Sequence, residues 1–383
     1  MKMYDAIVVG AGPAGSVAAT VLAKLGCRVL LLDKATFPRD KVCGDSIGRG
    51  SIHLLSRLGL PLALEPEKWN CYPIEKLKFV SPSGSFFETA FWQKDSFPSQ
   101  SYLMPRMEFD RILWEFALQQ GAEFERLSVT EPIMERGVIC GVRGKINEEF
   151  VERYAKITIA ADGAQSVVTR FLHPLRAARK HYGVAMRAYI KGVQNLDHCI
   201  EFYFFDDVKG YAWVFPLGNE SANVGIGFRL DLLAKSAKSL GQEFEKFIHR
   251  LRVAQRISHS APIEGRKGGL LTFASHPLQR AYSGALLVGD AGAFVSSLTG
   301  EGISNALKTG QIAAEVAFDA IQNNDWSLDE LRKFEVRWQN AIGKRLRVET
   351  VLQTLLGWPG ALDLLVRQMS HNERFARFIL SKF

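Results

Sequence analysis

A glycine-rich turn close to the N-terminus constrains the fold of this chain more than any other feature. Residues 4–9 form a short apolar run rich in isoleucine and valine, the pattern of a buried parallel strand. Gly10-Ala11-Gly12-Pro13-Ala14-Gly15 follows at once, and residues 16–25 read as a helix. A second apolar run, 27–32, ends in Asp33. Together these make a βαβ dinucleotide fingerprint. Gly10 permits the tight turn, Gly12 lets the backbone approach a pyrophosphate, and Gly15 lets the helix lie close on the strand. The helix N-terminus offers N–H groups and partial positive charge to the anion. Asp33 stands where a carboxylate accepts hydrogen bonds from ribose hydroxyls.

Bulk properties narrow the class. A chain of 383 residues, 47% of them hydrophobic, can bury a core for two or three lobes. It has no run of about twenty uncharged apolar residues, so no transmembrane helix is expected. The apolar residues from Ala6 onward belong to the first strand rather than to a signal peptide, and a cytoplasmic protein is expected. Cys27, Cys43, Cys71, Cys140 and Cys199 are scattered, with no CxxC pair, which argues against a disulfide framework and a metal site. The net charge of +8 suits phosphorylated ligands or acidic surfaces. No nucleic-acid motif accompanies it, so no nucleic-acid partner is expected. Basic residues gather late: Arg332, Lys333, Arg337, Lys344, Arg345, Arg347, Arg367, Arg374 and Arg377. They mix with Leu and Phe at helical spacing, which reads first as a solvated helix face and second as a peripheral membrane contact. The oligomeric state is not legible.

Two further motifs lie downstream. Residues 157–161 form a small apolar strand ending in Asp162-Gly163, with Arg170 shortly after. Leu286-Leu287-Val288-Gly289-Asp290-Ala291-Gly292 is a strand, a glycine turn and a carboxylate suited to a sugar hydroxyl, and Gly300-Glu301-Gly302-Ile303 then opens a long helix. That helix N-terminus can hold a flavin pyrimidine edge, which gathers negative charge on reduction. Between the motifs, helices are expected up to residue 58 and over 107–120 and 240–251. A hairpin is expected around Ser81-Pro82-Ser83-Gly84, and mostly β structure over 182–228. The expected fold class is α/β. A Rossmann-type domain is split over 1–78, 101–175 and 270–322. A mixed-β substrate domain from 79–100 and 176–269 is inserted in it, and a helical segment covers 323–383.

The order and spacing of Gly10–Gly15 with Asp33, Asp162-Gly163 and Gly289-Asp290 resemble the flavoprotein hydroxylase superfamily, as does Arg106 after Pro105. The resemblance implies FAD and a p-hydroxybenzoate-hydroxylase-like fold over the chain to about residue 320. Phe37-Pro38-Arg39 with Lys41-Val42-Cys43-Gly44-Asp45 is similar to a segment of the geranylgeranyl reductase family. Tyr211-Ala212-Trp213-Val214-Phe215-Pro216, followed by Gly225-Ile226-Gly227, is similar to that family's substrate signature. The chain departs at Val208, where the fuller signature has proline, and at Asp45, where many members have another glycine. Members reduce isolated C=C bonds of isoprenoid chains.

The resemblance and the motifs together give an expected site. The cofactor-binding set is Gly10, Gly12, Pro13, Ala14, Gly15, Asp33, Lys34, Arg39, Cys43, Gly44, Arg106, Asp162, Gly163, Gly289, Asp290, Gly300, Gly302 and Ile303. Tyr211, Trp213 and Phe215 alternate on a strand, so all three face one side and could wall a slot for a prenyl chain, with Gly225 and Gly227 beside them. The competing reading packs them as sheet core. Cys43 is expected in a loop near the flavin ring, as a proton source whose pKa moves toward neutrality beside Lys41, or else as a packed thiol. Lys41, Cys43, Tyr211 and Trp213 are the candidate catalytic residues. No second GxGxxG is present, so NAD(P)H must visit transiently or a ferredoxin must supply electrons. The expected activity is FAD-dependent reduction of a prenyl or other lipophilic C=C bond. The alternatives are an aromatic or polyketide monooxygenase, hydroxylase or halogenase-like, using NAD(P)H and O2, and a non-catalytic flavoprotein anchored at a membrane.

Overall fold

The computed structural model describes residues 3–61, 68–90, 101–174, 178–205, 210–236, 238–355, 360–372 and 374–376. Residues 91–100 of the expected substrate domain, Val208 and Arg377 lie outside the described residues. The chain divides into two compact units. The first comprises residues 1–40, 107–177 and 272–347, the second 41–106, 178–271 and 348–383.

The first unit is built on an eight-stranded sheet. Its parallel part runs in the order Ala285–Leu287, Glu149–Ala160, Met3–Val9, Val29–Asp33, Glu123–Arg126. Such strands read as continuous apolar runs because both faces are covered, and Ile7, Val8, Leu31 and Leu32 are fully buried. The fingerprint helix Pro13–Lys24 packs against the long helix Ile303–Gln322. The approach is close because Gly310 has no Cβ: one added there would lie 2.3 Å from the Ala14 carbonyl oxygen. Gly289 lies against the same helix, with an added Cβ 3.1 Å from that of Ala14. Two motifs nearly three hundred residues apart thus meet on one helix.

The second unit holds a seven-stranded mixed sheet in the order Ile263–Thr272, Tyr182–Lys191, Ser221–Arg229, Gly210–Gly218, Cys199–Phe204, Lys76–Val80, Phe86–Ala90. Cys199–Phe204 pairs in parallel with Lys76–Val80 there. The hairpin at Ser81–Gly84 closes between Lys76–Val80 and Phe86–Ala90 as the turn chemistry predicts. One side of the sheet buries Val224, Ile226 and Phe228 against Phe244, Phe247 and Leu251 of the helix Leu240–Val253. The other side carries the aromatic strand.

The units divide the chain differently from the expected boundaries. Residues 41–78 join the second unit, because Lys76–Val80 pairs with its sheet and Ser46–Ile47, Ser101–Leu103 and Tyr72–Ile74 form a small sheet of their own. The expected C-terminal segment is shared: 323–347 goes with the first unit and 348–383 with the second. The fingerprint helix begins at Pro13 rather than Ser16, since proline suits a first helical position that needs no N–H.

Candidate cofactor and substrate sites

In the first unit the fingerprint glycines are held by sterics. An added Cβ at Gly15 would sit 1.8 Å from the Gly10 carbonyl oxygen, and one at Gly10, whose φ is +99°, 2.4 Å from that of Ala161. Gly12 is different. It caps the helix in extended conformation with no side-chain cap, and an added Cβ would meet only Arg39 Nη2, at 3.4 Å. Among the described residues nothing demands glycine there, and the space above Gly12 fits a ligand approaching the helix N-terminus. Arg39 is aimed at this space by an ion pair with fully buried Asp110, at 2.9 Å, and lies over the Phe37 ring. Asp33 accepts hydrogen bonds from the Ala11 and Ala35 N–H groups, both at 2.9 Å, so it shapes the turn.

The two downstream motifs complete the cradle. Asp162 accepts a hydrogen bond from Val167 N–H through Oδ2, while its Oδ1 is buried with no hydrogen-bond partner in the protein. Burial pushes its carboxyl up. A buried acceptor left open is costly unless something completes it, and a ligand hydroxyl or amide would do so. Asp290 follows Gly289, whose φ is +55°, and Oδ1 of Asp290 faces Gly302 at the uncapped start of Ile303–Gln322. Arg280 fixes this turn from behind. Its guanidinium donates to the carbonyls of Gly292, at 2.7 Å, and Ala293, and is sandwiched by Phe294 and Trp338. The open space at Gly12, the orphaned Asp162 oxygen and the uncapped helix at Gly302 fit a dinucleotide.

The second unit contains the other expected residues. Register sets three rows across the sheet: Tyr189–Asn223–Phe215, Arg187–Gly225–Trp213 and Ala185–Gly227–Tyr211. The Trp213 indole lies on Gly225, where an added Cβ would come within 2.1 Å of Cζ2. The face extends through Phe202 and Phe79, stacked 5.6 Å apart. Trp213 and Phe215 are buried and Tyr211 is half-buried. Gly44 packs on the same wall: an added Cβ would lie 2.8 Å from the Phe215 ring. Cys43, Gly44, Arg106, Tyr211, Trp213, Phe215, Gly225 and Gly227 are therefore brought together within one unit.

Cys43 differs from expectation in its electrostatics. Burial pushes its thiol up rather than toward neutrality, and the cation that opposes this is Arg106, not Lys41. The reason is desolvation, which penalises the thiolate. The thiol is thus held protonated. Burial also pushes Tyr211 up, so its hydroxyl keeps its proton.

Sequence reasoning missed the polar centre of this face. Asp45 and Asn223 are fully buried, and Asn223 Nδ2 donates to Asp45 Oδ2 at 2.7 Å. The Tyr189 hydroxyl donates to the same oxygen at 2.9 Å, and the Arg106 N–H to Oδ1 at 3.2 Å. Fully buried Arg187 stacks on Tyr189, 4.3 Å from its ring centre. Burial raises Asp45 to about 6 against these stabilising donors. The available signal was phase: Arg187 and Asn223 interrupt apolar runs on the faces shared with Tyr189 and with Gly225.

Residues 3–310 match the FAD binding domain family, so the dinucleotide is FAD. The chain is 34% identical over 355 residues to digeranylgeranylglycerophospholipid reductase 2 of Methanopyrus kandleri, covering 90% of this chain and 84% of that one. It is 33% identical to digeranylgeranylglycerophospholipid reductase 1 of Methanococcoides burtonii, covering 90% and 81%. A crystal structure of a geranylgeranyl bacteriochlorophyll reductase-like protein from Thermoplasma acidophilum superposes with a TM-score of 0.88 at 26% identity, covering 100% of this chain and 97% of that one. A myxobacterial chondrochloren halogenase, at 22% identity and TM-score 0.77, shares the fold. With fingerprint, cradle and relatives in agreement, the chain belongs to the geranylgeranyl reductase family of FAD-dependent oxidoreductases.

Proposed function

We propose that this protein reduces C=C bonds in the prenyl chains of a lipid of the digeranylgeranylglycerophospholipid kind. The carrying observation is the aromatic face of Tyr211, Trp213, Phe215 and Phe202 with the protonated Cys43 thiol and Gly44 docked against it. An isolated alkene offers no polar handle, so its recognition must come from apolar burial, about 25 cal/mol per Å² removed from water. Gly10, Gly12, Gly15, Asp33, Arg39, Asp162, Gly289, Asp290, Gly302 and Ile303 hold the cofactor. Bound and reduced, FAD supplies the hydride. Cys43 supplies the proton to the other alkene carbon, and Arg106 beside it stabilises the thiolate left behind. Tyr211 and Trp213 orient the chain and keep water away. The electrons come from NAD(P)H as a hydride, or singly from a ferredoxin with protons from water.

The membrane is the natural source of such a substrate. Among the described residues no helix is long and apolar enough to cross one. Val348, Val351 and Leu355, on one stripe of the helix Lys344–Leu355, are exposed beside exposed Arg347. That stripe is the proposed peripheral contact. A test of the activity is anaerobic dithionite reduction followed by a lipid extract, with mass spectrometry for products heavier by two hydrogens. Flavin that reoxidises only with O2 and a small phenol would establish the monooxygenase reading instead.

A further inference from the structure

The carboxamide of Asn223 touches three groups on two separate pieces of the second unit. Nδ2 donates to the Cys43 carbonyl at 2.7 Å and to Asp45 Oδ2 at 2.7 Å, while Oδ1 accepts from Trp213 Nε1 at 2.9 Å. The orientation is unambiguous, because indole Nε1 only donates and a backbone carbonyl only accepts. One fully buried side chain thus uses both N–H groups and its oxygen to tie the Cys43 loop to the aromatic wall. It does so 180 residues along the chain from Cys43.

We propose that Asn223 is a positioning residue for catalysis: its carboxamide locks the Cys43–Asp45 loop and the Trp213 indole in one mutual geometry, so thiol and aromatic wall meet the alkene in fixed register. The catalytic part of this inference rests on the function proposed above. Asp45 is the second anchor of the lock. It faces Asn223 and Tyr189 on the sheet, Arg187 stacked behind Tyr189, Arg106 at the start of its helix, and Cys43 in its own loop. Gly44 makes the docking possible, since any side chain there would strike Phe215. Protonation of Asp45, near pH 6, removes the anion that Asn223 and Tyr189 both serve. The reaction should therefore slow as pH falls through that value.

The test compares wild-type holoenzyme with Asn223→Leu, of the same branched shape but unable to make any of the three bonds. Two readouts are taken, each normalised to FAD content. The first needs no substrate: alkylation of Cys43 by iodoacetamide, followed by peptide mass spectrometry. Asn223→Leu should label several-fold faster, because the loop is released. The second is the single-turnover rate with a prenyl lipid, which should fall roughly ten-fold, with the half-saturating concentration changing less. Its acid limb should move up by about one pH unit, because a carboxylate that loses a donor is harder to ionise. Tyr189→Phe removes a donor to Asp45 but none to Cys43 or Trp213, so it should move the acid limb the same way and leave alkylation alone. If Asn223→Leu does not fold, Asn223→Ala carries the same comparison, since it too makes none of the three bonds and brings no second carboxyl beside Asp45. Wild-type alkylation rates in the Asn223 variants would overturn the inference. If the wild type is not oxidised by any prenyl lipid, the functional reading fails, while the alkylation contrast still decides whether Asn223 holds the loop.

Discussion

The indole of Trp213 lies flat over Gly225, so closely that a methyl group there would come within 2.1 Å of the ring. This explains Gly225, the first glycine after the aromatic motif: it is the floor on which Trp213 rests. Gly225→Ala should cost about 1–3 kcal/mol by overpacking. Thermal unfolding should show a lower midpoint, whereas Gly227→Ala, with 3.8 Å to the same ring, should be nearly silent.

Gly12→Val should give colourless protein of near wild-type stability. A Cβ added at Gly12 meets only the flexible Arg39 Nη2, at 3.4 Å among the described residues, so the apo fold should tolerate the substitution that a pyrophosphate at the helix N-terminus would not. Absorbance of the purified variant together with its thermal melt checks both halves. Stoichiometric bound FAD would remove the fingerprint from the cofactor site.

Asp290→Ala should weaken FAD binding by about 1.5–3 kcal/mol, or roughly ten- to a hundred-fold, through loss of a charge-assisted hydrogen bond to a sugar hydroxyl. Fluorescence titration of apoprotein with FAD measures it. An unchanged dissociation constant makes Asp290 part of the turn only.

The fingerprint was legible because its strand, turn and helix are adjacent in sequence and its glycines answer local steric demands. Gly289-Asp290 was legible for the same reason. Asp45 and Asn223 were not, because they are 178 residues apart and each acquires meaning only through the other. Asp45 reads in the sequence as a substituted glycine; in the structure it takes the left-handed φ of +66° that a glycine would otherwise supply. Residues 41–78 group with the other compact unit from the one expected for a similar reason: the pairing of Lys76–Val80 with Cys199–Phe204 is long-range. The thiol's behaviour was misjudged because burial, invisible in a sequence, outweighs a nearby charge.

Asp45 gives stability a distinctive pH dependence. Its folded pKa of about 6 lies above the ordinary 3.8, so the folded state holds a proton that the unfolded state has lost. Stability contributed by this group is greatest below about pH 4 and declines as pH rises to about 6, by about 3 kcal/mol in all. Asp45→Asn abolishes the titration. Denaturant unfolding at pH 4 and pH 7 should therefore show the variant gaining about that much relative to wild type at the higher pH. A pH-independent difference would mean that Asp45 is not perturbed.

Cys43→Ser should retain FAD and the fold yet slow oxidation of the reduced enzyme by substrate about a hundred-fold, the scale of a lost general acid. Stopped-flow absorbance under argon measures it, and a wild-type rate leaves Cys43 as packing.

The central claim is tested most directly by anaerobic titration of dithionite-reduced protein with a defined digeranylgeranylglycerophospholipid, following flavin absorbance and lipid mass together. The account predicts one flavin oxidised for each lipid double bond converted to a product heavier by two hydrogens, with no oxygen present. Flavin that stays reduced under argon with every prenyl lipid, and reoxidises only when oxygen is admitted, would contradict it.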